Sequence, residues 1–143
     1  MQTIRILILE DDLETLSILL SKLSLFEKEL EVNSPQRDFS VVTLSEYTQV
    51  EEYINKNGEF KFDVVLLDRD CKAGGSFHVL DIEAIGADKI ISISSMPQYN
   101  EEAVKRGVKY VVWKDYQYLD DFADQVVKQI EGIVRKMPLI EEE

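Results

Sequence analysis

Three short hydrophobic runs in this chain end in side chains that handle magnesium and phosphate. Glu10 and Asp11 directly follow the run IRILIL, and Asp68 ends the run FDVVLLD. Lys114 directly follows a third run, KYVVW. Carboxylate oxygens are the ligands that Mg2+ prefers, and a lysine ammonium can pair with phosphate as a point charge. These residue types therefore predict a site for phosphoryl chemistry that uses a divalent cation.

Each of these side chains has a distinct role in such chemistry. Asp68 ends a wholly apolar run, where its carboxylate is a candidate nucleophile toward phosphorus. Glu10, Asp11 and Asp68 are candidate ligands of Mg2+ or another divalent cation. Ser94, at the end of the run IISIS, is a candidate hydrogen-bond donor to a phosphoryl oxygen, and Lys114 is a candidate partner of Asp68 or of the transferred group. Singly these residues are also common as helix-opening acids or turn residues, but their joint occurrence after hydrophobic runs favours one site.

The elements that position these side chains alternate along the chain. Runs rich in Ile, Val and Leu predict buried parallel strands, and a helical pattern follows each run. The expected strands are 4–9, 39–43, 62–67, 90–94 and 109–113. Such an alternation predicts an α/β fold with one parallel sheet and helices on both faces. Because ligands bind beyond the carboxyl ends of parallel strands, the candidate side chains should meet at one edge of the sheet.

Capping residues, glycine and proline delimit the expected helices. A capping box that begins at Thr48 opens the second helix, and Asn100 and Gly107 are the predicted N-cap and C-cap of the fourth. A glycine pair at 74–75 precedes a short third helix. The first expected helix carries a leucine pattern from Leu13 through Leu23 and is followed by a turn at 33–35. The other expected ranges are 48–58, about 77–84, 100–107 and from 119 up to Pro138.

Length, charge and cysteine content limit the class of protein. A chain of 143 residues that is 45% hydrophobic is expected to form one domain. The formal net charge of -12 argues against direct binding of nucleic acid or of an anionic membrane. The single cysteine, Cys71, excludes an intrachain disulfide and suits a reducing compartment, and no apolar segment approaches the length of a membrane span. A cytoplasmic location is therefore expected.

From its first residue to about residue 136, the chain resembles the receiver domain of bacterial two-component response regulators. The matching stretches are ILILEDD, FDVVLLD, SISS and GVKYVVWK. The resemblance implies a flavodoxin-like (βα)5 fold, a doubly wound parallel five-stranded sheet with strand order 2-1-3-4-5. It also implies a receiver-like domain over 1–136, followed by an acidic C-terminal tail over 137–143.

The resemblance assigns a role to each candidate residue. Asp68 matches the phosphoacceptor, and Glu10 and Asp11 match the acidic pair that binds the metal. Ser94 matches the hydroxyl residue that contacts the phosphoryl group, and Lys114 matches the lysine of the family's site. The implied metal is Mg2+ or another divalent cation.

The resemblance also implies a function in phosphorylation-dependent signalling. Asp70, two residues after the phosphoacceptor, would give its backbone carbonyl to the metal. The implied phosphodonor is a sensor histidine kinase or a histidine phosphotransfer protein, and the implied readout is a downstream protein target or self-association. The chain would be a phosphoryl acceptor and not a conventional turnover enzyme.

The chain departs from the family pattern at three positions. Lys72 and Asp115 stand where the family usually has prolines, and Val111 stands where it usually has an aromatic switch residue. Trp113 shares a strand face with Val111 and is expected to pack in the core. These departures bear on the conformational switch more than on the phosphoryl chemistry.

Two alternatives remain open on sequence alone. The Asp-x-Asp formed by Asp68 and Asp70 is similar to the start of haloacid-dehalogenase-type phosphatases, although there the motif normally lies on the first strand. The second alternative is a receiver-like interaction module that keeps the fold but is regulated by partner binding instead of phosphorylation.

Overall fold

Five short runs of Ile, Val and Leu pair side by side in a computed structural model that describes residues 2–33, 37–56, 62–70 and 82–138. The strands are β1 (Gln2–Leu9), β2 (Arg37–Leu44), β3 (Val64–Asp68), β4 (Ile90–Ser94) and β5 (Tyr110–Trp113). All four pairings are parallel, and the order is β2-β1-β3-β4-β5. The predicted flavodoxin-like, doubly wound α/β fold with strand order 2-1-3-4-5 is therefore confirmed.

Helices follow the strands along the chain and cover both faces of the sheet. They are α1 (Leu13–Asn33), α2 (Tyr47–Lys56), α3 (Ile82–Ile85), α4 (Pro97–Lys105) and α5 (Leu119–Lys136). A short 3-10 turn, Ala87–Lys89, leads from α3 into β4. No helix in the described ranges is both long and apolar enough to cross a membrane.

The apolar core is divided into two layers by the sheet. Ile4, Ile6 and Ile8 of β1 pack in the layer that contains α1 and α5. Leu7 and Leu9 point to the opposite face, into the layer formed with α2, α3 and α4. Every residue of β3 and β4 is buried, which is why these strands are continuous apolar runs instead of alternating patterns. The carboxyl ends of these strands are thereby held in a rigid frame.

The start of α2 differs from the prediction. The helix begins at Tyr47, so Thr48 lies inside it and is not the N-cap. The side-chain oxygen of Gln49 accepts hydrogen bonds from the backbone N–H groups of Ser45 and Glu46, each at 3.0 Å. Gln49, the third residue of the helix, thus serves the N–H groups that precede the first turn, as the glutamine of a capping box shifted two residues toward the N-terminus would do.

The start of α4 also differs from the prediction. Pro97 opens this helix after Met96, because the fixed φ of proline suits the first helical position. Asn100 is therefore inside the helix, and it is buried where it accepts a hydrogen bond from Ser92 and donates one to the carbonyl of Val112. At the other end, Gly107 directly follows the C-cap, Arg106, and has a φ of +98°, a conformation that favours glycine. The helix thus ends next to the glycine that was predicted to end it.

The end of α5 is fastened to β2. Arg37 is buried, and its guanidinium donates hydrogen bonds to the carbonyls of Val134 and Met137, at 3.1 and 2.8 Å. The Val134 carbonyl also accepts a hydrogen bond from the C-cap N–H of Met137, so the arginine adds a side-chain cap to this helix end. The domain boundary at residue 136 stays a prediction.

Some sequence-based expectations lie outside the described residues. They are Gly58 as the end of the second helix, Cys71, Lys72, the glycine pair at 74–75, the start of the helix over 77–84, and residues 139–143 of the tail.

Candidate functional site

Four candidate side chains meet at the carboxyl edge of the sheet. Glu10 follows β1, and Asp68 is the last residue of β3. Ser94 is the last residue of β4, and Lys114 follows β5 with its backbone N–H hydrogen-bonded to the carbonyl of Ser94 at 2.8 Å. All four are almost completely buried, with at most 2% of any of them exposed. Polar groups at this depth need partners, and the partners show what the site can do.

Lys114 joins the acidic residues of two strands. Its Nζ lies 2.9 and 3.0 Å from the two carboxylate oxygens of Glu10, and 3.5 Å from Oδ2 of Asp68. Because β4 lies between β3 and β5 in the sheet, the lysine side chain reaches across the end of β4 to make these contacts. The ammonium is thus placed beside the proposed nucleophile.

One ammonium does not compensate the two buried carboxylates. Burial raises the pKa of Glu10 to about 8, and the charge of Asp68 adds to this shift, although Lys114 opposes it. Burial likewise raises the pKa of Asp68. Burial alone would lower the pKa of Lys114, but the charges of Asp68 and Glu10 outweigh burial and raise it. The lysine therefore stays charged, and below about pH 8 the Glu10 carboxyl holds a proton because two ionised carboxylates beside one ammonium are unfavourable.

Glu10, Asp11 and Asp68 form a candidate metal centre. Each offers one carboxylate oxygen, and these oxygens lie within 4.8 Å of one another. Asp11 is half-buried, so the cluster is reachable from solvent on one side. An all-oxygen set of donors fits a hard cation such as Mg2+. When all three carboxylates are ionised, they leave an excess of two negative charges beside Lys114, which a divalent cation would offset.

Asp70 makes contacts that the sequence did not reveal. Its Oδ1 accepts a hydrogen bond from the Ser94 hydroxyl at 2.7 Å, and its Oδ2 accepts one from the backbone N–H of Ser95 at 2.8 Å. Its own backbone N–H donates to Oδ1 of Asp68 at 2.8 Å. Sequence reasoning treated Asp70 as a backbone-carbonyl ligand of the metal or as the second Asp of a phosphatase motif. It did not predict these contacts, because the spacing of two residues says nothing about where the side chain turns.

Tyr116 is a second residue that sequence reasoning missed. Its hydroxyl donates to Oδ2 of Asp70 at 3.3 Å, and Nζ of Lys114 lies 4.9 Å from the centre of its ring. Burial of the hydroxyl raises the pKa of Tyr116, even though Lys114 opposes that shift. The only available signal was an aromatic residue two positions after Lys114.

Trp113 does not pack in the core, and that prediction is wrong. Its side chain is 58% exposed, and its indole N–H donates to the carbonyl of Ser95 at 3.2 Å. Trp113 is the last residue of β5, which is an edge strand, so the sheet has no further strand to cover it. Val111, on the same face of β5, is half-buried and packs against the layer that contains α4.

The fold and the strand-end side chains define a doubly wound α/β domain with an acidic site beside a buried lysine. Neither protein-family models nor curated protein sequences provide a match to this chain. Solved structures do, and several that cover nearly the whole chain are response regulators.

Three of these structures cover nearly the whole chain. The phosphorylated cyanobacterial phytochrome response regulator RcpA is 18% identical, with 99% of this chain and 100% of that chain covered and a TM-score of 0.68. A response regulator receiver protein from Sinorhizobium medicae is 16% identical, with 94% and 97% covered and a TM-score of 0.66. The bacteriophytochrome response regulator AtBRR is 21% identical, with 99% and 100% covered and a TM-score of 0.60. The chain therefore has the fold of response-regulator receiver domains.

Proposed function

We propose that this chain is a phosphorylation-dependent signalling receiver in which Asp68 accepts a phosphoryl group. One observation carries the proposal: the Asp68 carboxylate is buried at the end of a central strand, 3.5 Å from the Lys114 ammonium and beside the oxygens of Glu10 and Asp11. The receiver fold supports it, since one structure with this fold, RcpA, is of a phosphorylated protein.

In the proposed reaction, an Asp68 carboxylate oxygen attacks phosphorus. An O–P bond forms while the P–N bond of a phosphohistidine, or the P–O bond of an acyl phosphate, breaks and leaves its electron pair with the donor. Lys114 is positioned to neutralise negative charge on the phosphoryl oxygens, and the Ser94 hydroxyl to donate a hydrogen bond to one of them. Mg2+, held by Glu10, Asp11 and Asp68 and by the backbone carbonyl of Asp70, would supply further charge neutralisation.

The proposed partners are proteins. The phosphodonor is a sensor histidine kinase or a histidine phosphotransfer protein, as expected for a receiver fold, and the readout is docking to a downstream protein or self-association. A direct contact with nucleic acid or with an anionic membrane is disfavoured by the net charge of -12. We place this two-component signalling in the bacterial cytoplasm, with a receiver domain over 1–136 and an acidic tail over 137–143.

Phosphoryl transfer from a small donor tests the proposal. The protein is incubated with Mg2+ and acetyl phosphate and weighed intact, and we expect a single added phosphoryl group that is labile to base. Asp68→Asn should abolish the addition, because an amide oxygen is a poor nucleophile. Asp63→Asn is a matched control at the opposite end of the same strand segment and should be labelled as the wild type is. Equal labelling of Asp68→Asn and the wild type would show that another residue is the acceptor.

A partner-regulated module is a second candidate, and one observation favours it. The Asp70 carboxylate already satisfies the Ser94 hydroxyl and the Ser95 N–H, so the site is stable without a phosphoryl group. No addition of phosphate at saturating acetyl phosphate would favour this candidate. The phosphatase alternative has less support, because the Asp70 carboxylate is turned toward β4, and turnover of p-nitrophenyl phosphate would be its test.

A further inference from the structure

The hydrogen-bond donors at the end of β4 are already engaged by one carboxylate. The Ser94 hydroxyl donates to Oδ1 of Asp70 at 2.7 Å, and the Ser95 N–H donates to Oδ2 at 2.8 Å. The Tyr116 hydroxyl adds a third donor to Oδ2 at 3.3 Å. Asp70 is therefore held like a bound anion, with donors on both of its oxygens.

The Ser94 hydroxyl cannot serve a second acceptor while it holds Asp70. Its oxygen accepts a hydrogen bond from the backbone N–H of Met96 at 2.9 Å, so its single hydrogen is directed at Asp70. The Ser95 N–H likewise has only one hydrogen to give. A phosphoryl group on Asp68 needs donors at this same end of β4, because Asp68 and Ser94 are the last residues of adjacent strands.

We propose that the Asp70 carboxylate is an internal competitor for the donors that a phosphoryl group on Asp68 requires, so that phosphorylation displaces it. The inference rests on the proposed phosphoryl acceptor at Asp68 and specifies how that site is regulated. The Asp70 carboxylate and a phosphoryl group on Asp68 cannot both accept hydrogen bonds from the Ser94 hydroxyl and the Ser95 N–H at the same time. Asp70 thereby lowers the affinity of the site for the phosphoryl group.

Displacement of Asp70 also changes the environment of an aromatic residue. Tyr116 lies over Lys114 and is hydrogen-bonded to Asp70, so it loses a partner when Asp70 moves. Ser95, which Asp70 also holds, accepts the hydrogen bond from Trp113. The competition therefore links the phosphoryl site to two exposed aromatic side chains at the end of β5.

Binding of beryllofluoride, a mimic of the phosphoryl group, tests the competition. Its dissociation constant is measured by calorimetry at saturating Mg2+ for the wild type, Asp70→Ala and Asp70→Asn. We expect Asp70→Ala to bind about tenfold more tightly or better, since at least two charge-assisted hydrogen bonds no longer have to be exchanged. Asp70→Asn keeps an acceptor for Ser94 but loses the charge, so its gain should be smaller.

Asp115→Ala is the matched control for removal of a negative charge. Asp115 directly follows Lys114, yet its carboxylate accepts a local hydrogen bond from the Gln117 N–H at 3.0 Å. We expect the affinity of Asp115→Ala for beryllofluoride to stay within about twofold of the wild-type value, since removal of a partly exposed charge has a weak effect. An equal gain in Asp115→Ala and Asp70→Ala would overturn the competition, because a general charge effect would then explain both.

The outcomes separate this inference from the proposed function. Wild-type binding with no gain in either Asp70 variant would overturn the competition and leave the phosphoryl acceptor standing. Binding only after Asp70 is replaced would support the competition in its strongest form. Failure of every variant to bind beryllofluoride would overturn both. Melting temperatures establish that each variant is folded, and Asp70→Asn decides the question if Asp70→Ala does not fold.

Discussion

Lys114 is a buried cation that faces more negative charge than it neutralises. Its Nζ contacts both oxygens of Glu10 and one of Asp68, and all three side chains are fully enclosed. Removing charges from water costs free energy that mutual attraction recovers only in part. The metal-free protein is therefore expected to be less stable when both carboxylates are ionised. A bound cation would remove this loss of stability, because it would compensate their charge.

The stability of the metal-free protein should depend on Glu10. Because the folded-state pKa of Glu10 is raised from 4.5 to about 8, the folded protein holds a proton there that the unfolded chain releases. In chelator, the free energy of unfolding should fall as the pH rises from about 4.5 to about 8. Lys114 stays charged throughout this window and does not produce the slope.

Glu10→Gln isolates this contribution, since the amide keeps an oxygen for Lys114 but does not titrate. Its free energy of unfolding, measured by urea denaturation at a series of pH values, should decline less steeply than that of the wild type. The raised pKa of Asp68 leaves a residual slope in the variant. An unchanged slope would assign the pH dependence to groups other than Glu10.

Mg2+ should stabilise the protein through Asp11. A cation at tenfold excess over its dissociation constant adds about 1.4 kcal/mol, or roughly 4 °C of melting temperature. Asp11→Ala should lose most of that response. Asp12→Ala is the neighbouring control: it removes the helix cap that Asp12 provides to the N–H of Thr15, which lowers the melting temperature without Mg2+, but it should keep the response to Mg2+. Equal responses of Asp11→Ala and the wild type would exclude Asp11 from the site.

At the scale of elements, hydrogen bonds, an ion pair and a cation–π contact connect α4 to the sheet and to the residue after β3. The amide of Asn100 bridges the Ser92 hydroxyl of β4 and the Val112 carbonyl of β5, each at 3.0 Å. Arg69, which follows β3, lies over the ring of Tyr99 at 5.1 Å and pairs with Glu102 at 3.4 Å. The helix is thus linked to the residue after the proposed phosphoacceptor.

Asn100→Ala should destabilise the protein by at least about 2 kcal/mol. The substitution leaves a buried hydroxyl and a buried carbonyl without their partner, and each such group costs roughly 1 to 3 kcal/mol. Gln98→Ala, at an exposed position of the same helix, controls for helix propensity and should change stability by less than about 0.5 kcal/mol. Urea denaturation measures both, and equal effects would show that the bridge of Asn100 contributes nothing.

The sequence predicted strands better than side-chain directions. A strand buried on both faces is a continuous apolar run, so β3 and β4 could be recognised from composition alone, and with them the positions of Asp68 and Ser94. A helix start is harder to predict because several nearby polar residues can cap it. Asn100 was predicted to be the N-cap of the fourth helix, but its amide lies inside that helix and forms hydrogen bonds in the core. The turn of Asp70 toward β4 depends on the backbone of a loop, which no periodic pattern specifies.

At the scale of the whole molecule, exposed apolar side chains are concentrated around α4 and the end of β5. More than half of the large exposed hydrophobic side chains in the described residues lie between 96 and 118. A shallow pocket of about 260 Å³ lies between α4 and β5, with Val104, Val111 and Trp113 among its lining residues. Val111 is a small, half-buried side chain in the lining of this pocket, so it leaves little side-chain volume to move at that position.

Phosphorylation should therefore alter this face without a large rearrangement. With beryllofluoride and Mg2+, we expect changes in amide hydrogen exchange within 98–122. Ser94 ends β4 and Lys114 follows β5, the strands that border this face, and the Ser95 carbonyl accepts a hydrogen bond from Trp113. Asp68→Asn under the same conditions is the control and should show none of them. Changes confined to the loops after residues 10, 68 and 94 would leave the phosphoryl group without a readout on this face. That result would favour a module regulated by partner binding, in which α4 and the end of β5 bind the partner whether or not Asp68 is phosphorylated.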